Sequence, residues 1–284
     1  MDMSDLPVTI GLVVVRPALQ LGDEPFYHEF IAGIERYFSS SGTSLLVQIV
    51  ADYDSETATY RRWATNDSVA GVLLTDLRLG DDRVRLLEQL ELAAVVVGDP
   101  ESAQGLSSVW TGDGSSMRLA VQELHSRGHR VLGRVSGPRL LAHSQIRSET
   151  FRQICTELAI SAIEEESDYS EDGGQLSTRM LLARATRPTA IIFDDDLMAL
   201  GGLRELEVQQ LAVPRDVSVL AWDDSVLCQL SKPRLSVMGH DVQIIGELAG
   251  DAILETIDHR GPTHREGPVA SFISRESVGP APRA

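Results

Sequence analysis

At 284 residues the chain is long for one domain of roughly 100 to 200 residues, so two lobes or one large α/β unit are expected. Hydrophobic residues at 43% and charged residues at 24% describe a globular protein and exclude a disordered or fibrous one. The net charge of −17, with 24 arginines and one lysine, Lys232, leaves no lysine-rich surface to follow a phosphate backbone, so this chain alone should bind DNA poorly. Cys155 and Cys228 form no paired motif, which argues against a disulfide scaffold, a zinc knuckle or a redox dithiol and fits a reducing cytoplasm. The N-terminus lacks the pattern of an export signal, and no stretch reaches the roughly 18 apolar residues that span a bilayer.

In chain order, VTIGLVVV (8–15) opens as a strand, followed by a helix in which Phe26, Phe30, Ile34 and Phe38 recur every four residues as one apolar stripe. Strands follow at SLLVQIV (44–50), VAGVLLT (69–75), AAVVVG (93–98) and SSVWT (107–111). Residues 115–127 read as a helix ended by Gly128, since glycine supplies a left-handed cap without steric cost. Then come VLGRVS (131–136), helices at 144–158 and 174–184, AIIF (190–193), a helix at 197–206 and VSVLAW (217–222). LSVM (235–238) and VASFIS (269–274) are weaker strands on either side of a helix at 242–256, and the tail GPAPRA should fray. Apolar strands alternating with helical patterns imply parallel sheets with crossover helices.

In open parallel sheets ligands sit beyond the carboxyl ends of the strands. Asp194, Asp195 and Asp196 follow AIIF, Asp223 and Asp224 follow VSVLAW, and Asp113 follows SVWT after one glycine. Asp196 and Asp224 read as helix caps, Asp195 and Asp223 as ligand-facing. With Arg147 as a forked donor, these acids suit a polyhydroxylated ligand whose vicinal hydroxyls both donate and accept. Phe26, Tyr27, Trp110, Phe193 and Trp222 could present flat faces to a sugar ring; Phe193 and Trp222 read equally as core, and Trp110 is the better stacking candidate. His125 and His129 are spaced HxxxH, but Gly128 breaks the helix between them and no metal site is expected; His259 and His264 read as solvated. Nucleotide-binding glycine loops and a nucleophile elbow are missing, and nothing requires a cofactor.

The run RPTAIIFDDDLMALGGLREL (187–206), then VPRDVSVLAWDDS (213–225), PRLSVMGHD (233–241) and RESVG (275–279) resembles the C-terminal half of LacI-type transcriptional regulators in order and spacing. PFYHEFIAGIE (25–35), VAGVLL (69–74), SVWTGDGSSMRLAVQEL (108–124) and RGHRVLGRVSG (127–137) extend the resemblance over nearly the whole chain. It implies a periplasmic-binding-protein-like type I α/β fold, two Rossmann-like lobes with parallel sheets joined by three crossing strands. The lobes would span 8–129 plus 239–263 and 130–238 plus 264–279, with flexible ends at 1–7 and 280–284. A small polar effector would lie between the lobes against Phe26, Tyr27, Arg147, Asp195 and Asp223, and its binding would shift a homodimer that positions two headpieces on operator DNA. The family's helix-turn-helix headpiece reads as absent, because the chain starts seven residues before the first strand. Gly112 and Asp113 stand where the family has Asp-Asn, Asp195 and Asp196 stand where it has Asn-Asp, and the loop 16–24 is longer than usual. These departures add acid to the site and favour a neutral sugar or a partly cationic ligand over a phosphorylated one. The alternatives are a sugar-binding protein of a transporter, which shares the fold, and an aspartate-dependent phosphatase built on Asp194 and Asp196; no enzymatic activity is expected.

Overall fold

The computed structural model describes residues 8–15, 25–258 and 261–282. The loop 16–24, the ends 1–7 and 283–284, and His259 lie outside the described residues. The elements run β1 (Thr9–Val15), α1 (Pro25–Phe38), β2 (Ser44–Val50), α2 (Tyr53–Thr65), β3 (Gly71–Leu74), α3 (Asp82–Gln89), β4 (Ala93–Val97), β5 (Ser107–Trp110), α4 (Asp113–Ser126), β6 (Val131–Ser136) and α5 (Ala142–Glu157). They continue with β7 (Ser161–Glu166), α6 (Glu171–Leu182), β8 (Ala190–Phe193), α7 (Asp196–Val208), β9 (Ser218–Trp222), α8 (Val226–Leu230), β10 (Ser236–Gly239), α9 (Val242–Ile257), β11 (His264–Glu266) and β12 (Ser271–Ile273).

The chain divides into two compact units, Met1–Thr111 with Asp241–Pro268, and Gly112–His240 with Val269–Ala284. The backbone therefore passes from one to the other three times. The first unit holds a six-stranded sheet in the order β11-β5-β4-β3-β1-β2, parallel throughout. β1 pairs with β2 and β3, and Ile10, Leu12, Val13 and Val14 are all buried, as an interior strand covered on both faces requires. Tyr27, Phe30, Ile34 and Phe38 of α1 share a core with Ile245, Ala249 and Ile253 of α9. Each fully buried phenylalanine or isoleucine among them contributes about 1.5 to 3 kcal/mol.

Those two helices touch backbone to backbone. A Cβ on Gly33 would stand 2.0 Å from the carbonyl oxygen of Gln243, and one on Gly246 would stand 2.3 Å from that of Phe30. Because the obstacle is backbone, Gly33→Ala must push α1 off α9, and a loss of about 1 to 3 kcal/mol is expected in urea unfolding. Alanine's better helix propensity would offset only about 1 kcal/mol of this.

The second unit's sheet runs β12-β10-β9-β8-β6-β7, parallel except for β12, which pairs antiparallel with β10. One core joins Met117, Val121 and Leu124 of α4 to Phe151 and Ile154 of α5 and to Trp222. A second joins Phe193, Val219, Ala221 and Val237 to α6 and α7. The boundary thus falls at Gly112, where the sequence placed it at 129, because the apolar face of α4 is buried in the second unit's core. Likewise β11 lies in the first unit because it pairs in parallel with β5, His264 opposite Ser108, where the sequence put residues from 264 onward in the second. Gly128 sits at φ 93°, the left-handed conformation expected just beyond α4.

Candidate ligand-binding site

At the carboxyl ends of the second unit's strands the polar groups gather around two buried arginines. Arg147, in the second turn of α5, is 8% exposed. Its Nε donates to Asp113 Oδ1 at 2.6 Å, its Nη1 donates to the Asp194 carbonyl at 3.3 Å, and its guanidinium lies 4.2 Å from the ring centre of Trp222. Burial works against its charge, but Asp113 and Asp194 outweigh burial and hold the guanidinium well above its usual range. Arg134, wholly buried in the middle of β6, binds the Asp194 carboxylate with Nε and Nη2 and also donates from Nη1 to Ser148 Oγ and Glu164 Oε2, both at 2.6 Å. Asp194 is thus committed to an internal ion pair, and with it the phosphatase reading loses its nucleophile.

The neighbouring aspartates exchange the roles expected of them. Asp195 caps α7, accepting from the Met198 N–H at 3.1 Å. Asp196 is instead buried at 3% exposure, hydrogen-bonded to Ser225, with its Oδ2 unpartnered. Asp224, expected as a cap, pairs with Arg275 Nη2 at 2.7 Å, and Ser225 caps α8. Asp223 stands as expected among the strand-end groups, at φ +66°, its Oδ1 3.4 Å from His240 Nδ1 and without a hydrogen-bond partner. His240 closes β10 with its side chain 4% exposed and neither ring nitrogen hydrogen-bonded. Beside these, Tyr169 Oη meets His143 Nε2 at 2.8 Å and Ser144 Oγ at 3.2 Å.

The aromatic expectations divide. Phe193 is fully buried and is a core residue, not a ligand contact. Trp222 is likewise buried, and the ring face described above carries Arg147 rather than a sugar. In the first unit, Tyr27 is a core residue whose hydroxyl donates to Asp76 Oδ2 at 3.1 Å and meets Thr75 Oγ1 at 3.0 Å. Phe26, half-buried, packs edge-on to Tyr27 and stacks on Phe30. Trp110 ends β5 half-buried, its carbonyl accepting from Gly267 N–H. The structure therefore unites Asp113, Arg147, Trp222 and the end of β8, with Asp223 acting on Arg147 through its charge.

Burial, helped by the charge of Asp223, pushes the Asp196 carboxyl up from 3.8 to about 6. With its folded value above its unfolded value, the native state binds more protons between about pH 4 and 6, so stability falls as pH rises through that window. Asp196→Asn is expected to flatten this dependence and to raise stability at neutral pH by on the order of 2 kcal/mol. Thermal unfolding midpoints between pH 4 and 8 check it.

The profile of the periplasmic binding protein-like domain family matches residues 121–278. A LacI family transcriptional regulator from Bifidobacterium animalis subsp. lactis is 30% identical and superposes with a TM-score of 0.88, covering 96% of this chain and 98% of that one. The chain belongs to the LacI family of periplasmic-binding-protein-like domains. The ribose operon repressor of Haemophilus influenzae is 26% identical over 262 residues, 90% of this chain and 76% of that protein. The transcriptional regulator CelR in complex with cellobiose is 24% identical, with a TM-score of 0.88 over 96% of this chain and 86% of that one; at that identity the likeness carries the fold alone.

Within this LacI-type domain, two site residues escaped the sequence reading and had a signal there. Arg134 is the one charge inside an otherwise apolar strand, VLGRVS, and a charge in that position demands a buried partner. His240 obeys the same strand-end rule that singled out Asp223, one residue beyond Gly239. No helix among the described residues is long and apolar enough to cross a membrane.

Proposed function

We propose that this chain is the effector-sensing and dimerising core of a cytoplasmic LacI-type transcriptional regulator. Its effector is a small hydroxyl-rich molecule, a sugar, held by the strand-end groups of the second unit. Operator DNA is engaged by helix-turn-helix headpieces joined to this core, not by the core itself, whose net charge of −17 repels phosphate.

The observation that carries the reading is the setting of Arg147. Its guanidinium is held by Asp113 and Trp222 of the protein itself, beside a carboxylate, Asp223, that has an acceptor to spare. Donors and acceptors preset in this way recognise vicinal hydroxyls at little ordering cost. The ribose operon repressor, named for a sugar, supports the same ligand class.

Thermal unfolding of the chain against mono- and disaccharides, polyols, nucleosides and phosphorylated sugars tests it. A sugar at a hundred times its dissociation constant adds about 2.7 kcal/mol and raises the midpoint clearly. The rise should vanish in Asp223→Ala. A folded protein that responds to no carbohydrate would remove the reading. Sedimentation of the chain with and without that sugar tests the dimer, and a monomer under both conditions would remove that part.

A further inference from the structure

We propose that the second unit's site takes an amine-bearing polyol, an amino sugar or aminopolyol, with the ammonium seated against Asp223. The inference rests on the sugar-site reading above and narrows the ligand class within it.

The arginines in this part of the fold already have carboxylate partners. Arg147 holds Asp113, Arg134 holds Asp194 and Glu164, and Arg275 holds Asp224. Asp196 and Asp223 have no ion pair with a guanidinium among the described residues, and Asp223 lies 3.4 Å from His240, which can carry positive charge. Arg147 also feels the charge of Asp223, but its own ion-pair partner is Asp113, so Asp113, Asp196 and Asp223 stand against Arg147 and one imidazole. Asp196 Oδ2 and Asp223 Oδ1 are buried acceptors without a hydrogen-bond partner. His240, its side chain 4% exposed, offers two ring nitrogens that are equally unpartnered. Oδ1 of Asp223 is buried, but the side chain as a whole is 24% exposed, so a ligand reaches the carboxylate from its other edge.

A ligand hydroxyl would satisfy one acceptor and leave the excess charge. A phosphate or carboxylate would add a third anion. An ammonium at the exposed edge of Asp223 forms a hydrogen bond and offsets the charge together, and such charge-assisted bonds are roughly twice as strong as neutral ones. His240 is then placed to bond a neighbouring hydroxyl of the same molecule, since a ring nitrogen can either donate or accept.

The test is isothermal titration of the chain, near neutral pH, with glucosamine, galactosamine and mannosamine, each beside its hydroxyl parent and its N-acetyl derivative. The expected result is that at least one amine binds about tenfold tighter than its parent, and that N-acetylation abolishes the gain. Asp223→Asn keeps the side chain's shape, and asparagine tolerates the left-handed backbone found there, so the variant should fold. In it the ratio of amine to parent affinity should collapse toward one. Parent and N-acetyl sugars that bind as tightly as the amines, or a ratio unchanged in Asp223→Asn, would overturn the inference while leaving the sugar site standing. Failure of every carbohydrate in the wider panel would instead take down the sugar site, and the inference with it.

Discussion

Replacing Arg134 with methionine should cost the second unit about 3 to 5 kcal/mol, a large part of what holds a domain of this size together. Methionine fills much of the arginine's volume, so the loss is not chiefly one of packing. The cause is charge. Asp194, 3% exposed, would keep its carboxylate inside the protein without its ion-pair partner, and Ser148 and Glu164 would lose their donor as well. Urea unfolding followed by circular dichroism measures the effect. Adding Asp194→Asn to Arg134→Met should recover part of the loss, because the stranded charge goes with it, and the double-mutant cycle gives the size of the coupling. Additive losses from the two substitutions would show that the pair contributes nothing as a pair.

Arg147→Ala is expected to remove ligand response altogether and to cost about 3 kcal/mol of stability. The buried Asp113 carboxylate loses its guanidinium, and the ring face of Trp222 loses the group that covers it. Arg147→Lys separates the two effects. Lysine retains a positive charge near Asp113 but cannot reproduce the planar fork or stack over the indole. Stability should therefore return in good part, while sugar affinity should not. Titration calorimetry alongside urea unfolding reads both quantities, and full recovery of affinity in Arg147→Lys would mean that only the charge matters.

The parts of the fold that were legible in the sequence are those built by burial on one plain pattern. β1, β8 and β9 are interior strands, and their unbroken apolar runs show it. α1 announces itself through Phe30, Ile34 and Phe38. α2 and α3 were missed because part of what they bury is charged. Glu56 and Arg83 are almost wholly inside, and Arg83 reaches both Glu56 and Asp81, so neither helix displays an apolar stripe. β7, with the sequence SAIEEE, lies at a sheet edge next to β6 alone and has little to bury.

The site was half legible for a different reason. The strand-end rule found Asp113 and Asp223, and Arg147 was read beside them as the forked donor, but the roles of Asp195 and Asp196 depend on where α7 starts, and a shift of one residue exchanges the cap with its neighbour. For Phe193 and Trp222 the pattern gives no help, since in a sheet covered on both faces every position along the strand looks alike.

The threefold passage of the backbone between the units has a consequence for how the protein is made. Tyr37 in α1 bonds to Asp251 in α9, 214 residues away, and the core that α1 completes is closed by that distant helix. A chain emerging from the ribosome must therefore carry Phe30 and Ile34 without α9 against them until residue 257 has been made. The second unit waits as well, because β12 and Ser277, which donates to the Val219 carbonyl, follow only after α9. Neither half can finish before the segments beyond residue 240 are made, so nascent chains are exposed to aggregation until then, and a premature stop near residue 240 leaves two incomplete cores instead of one finished domain.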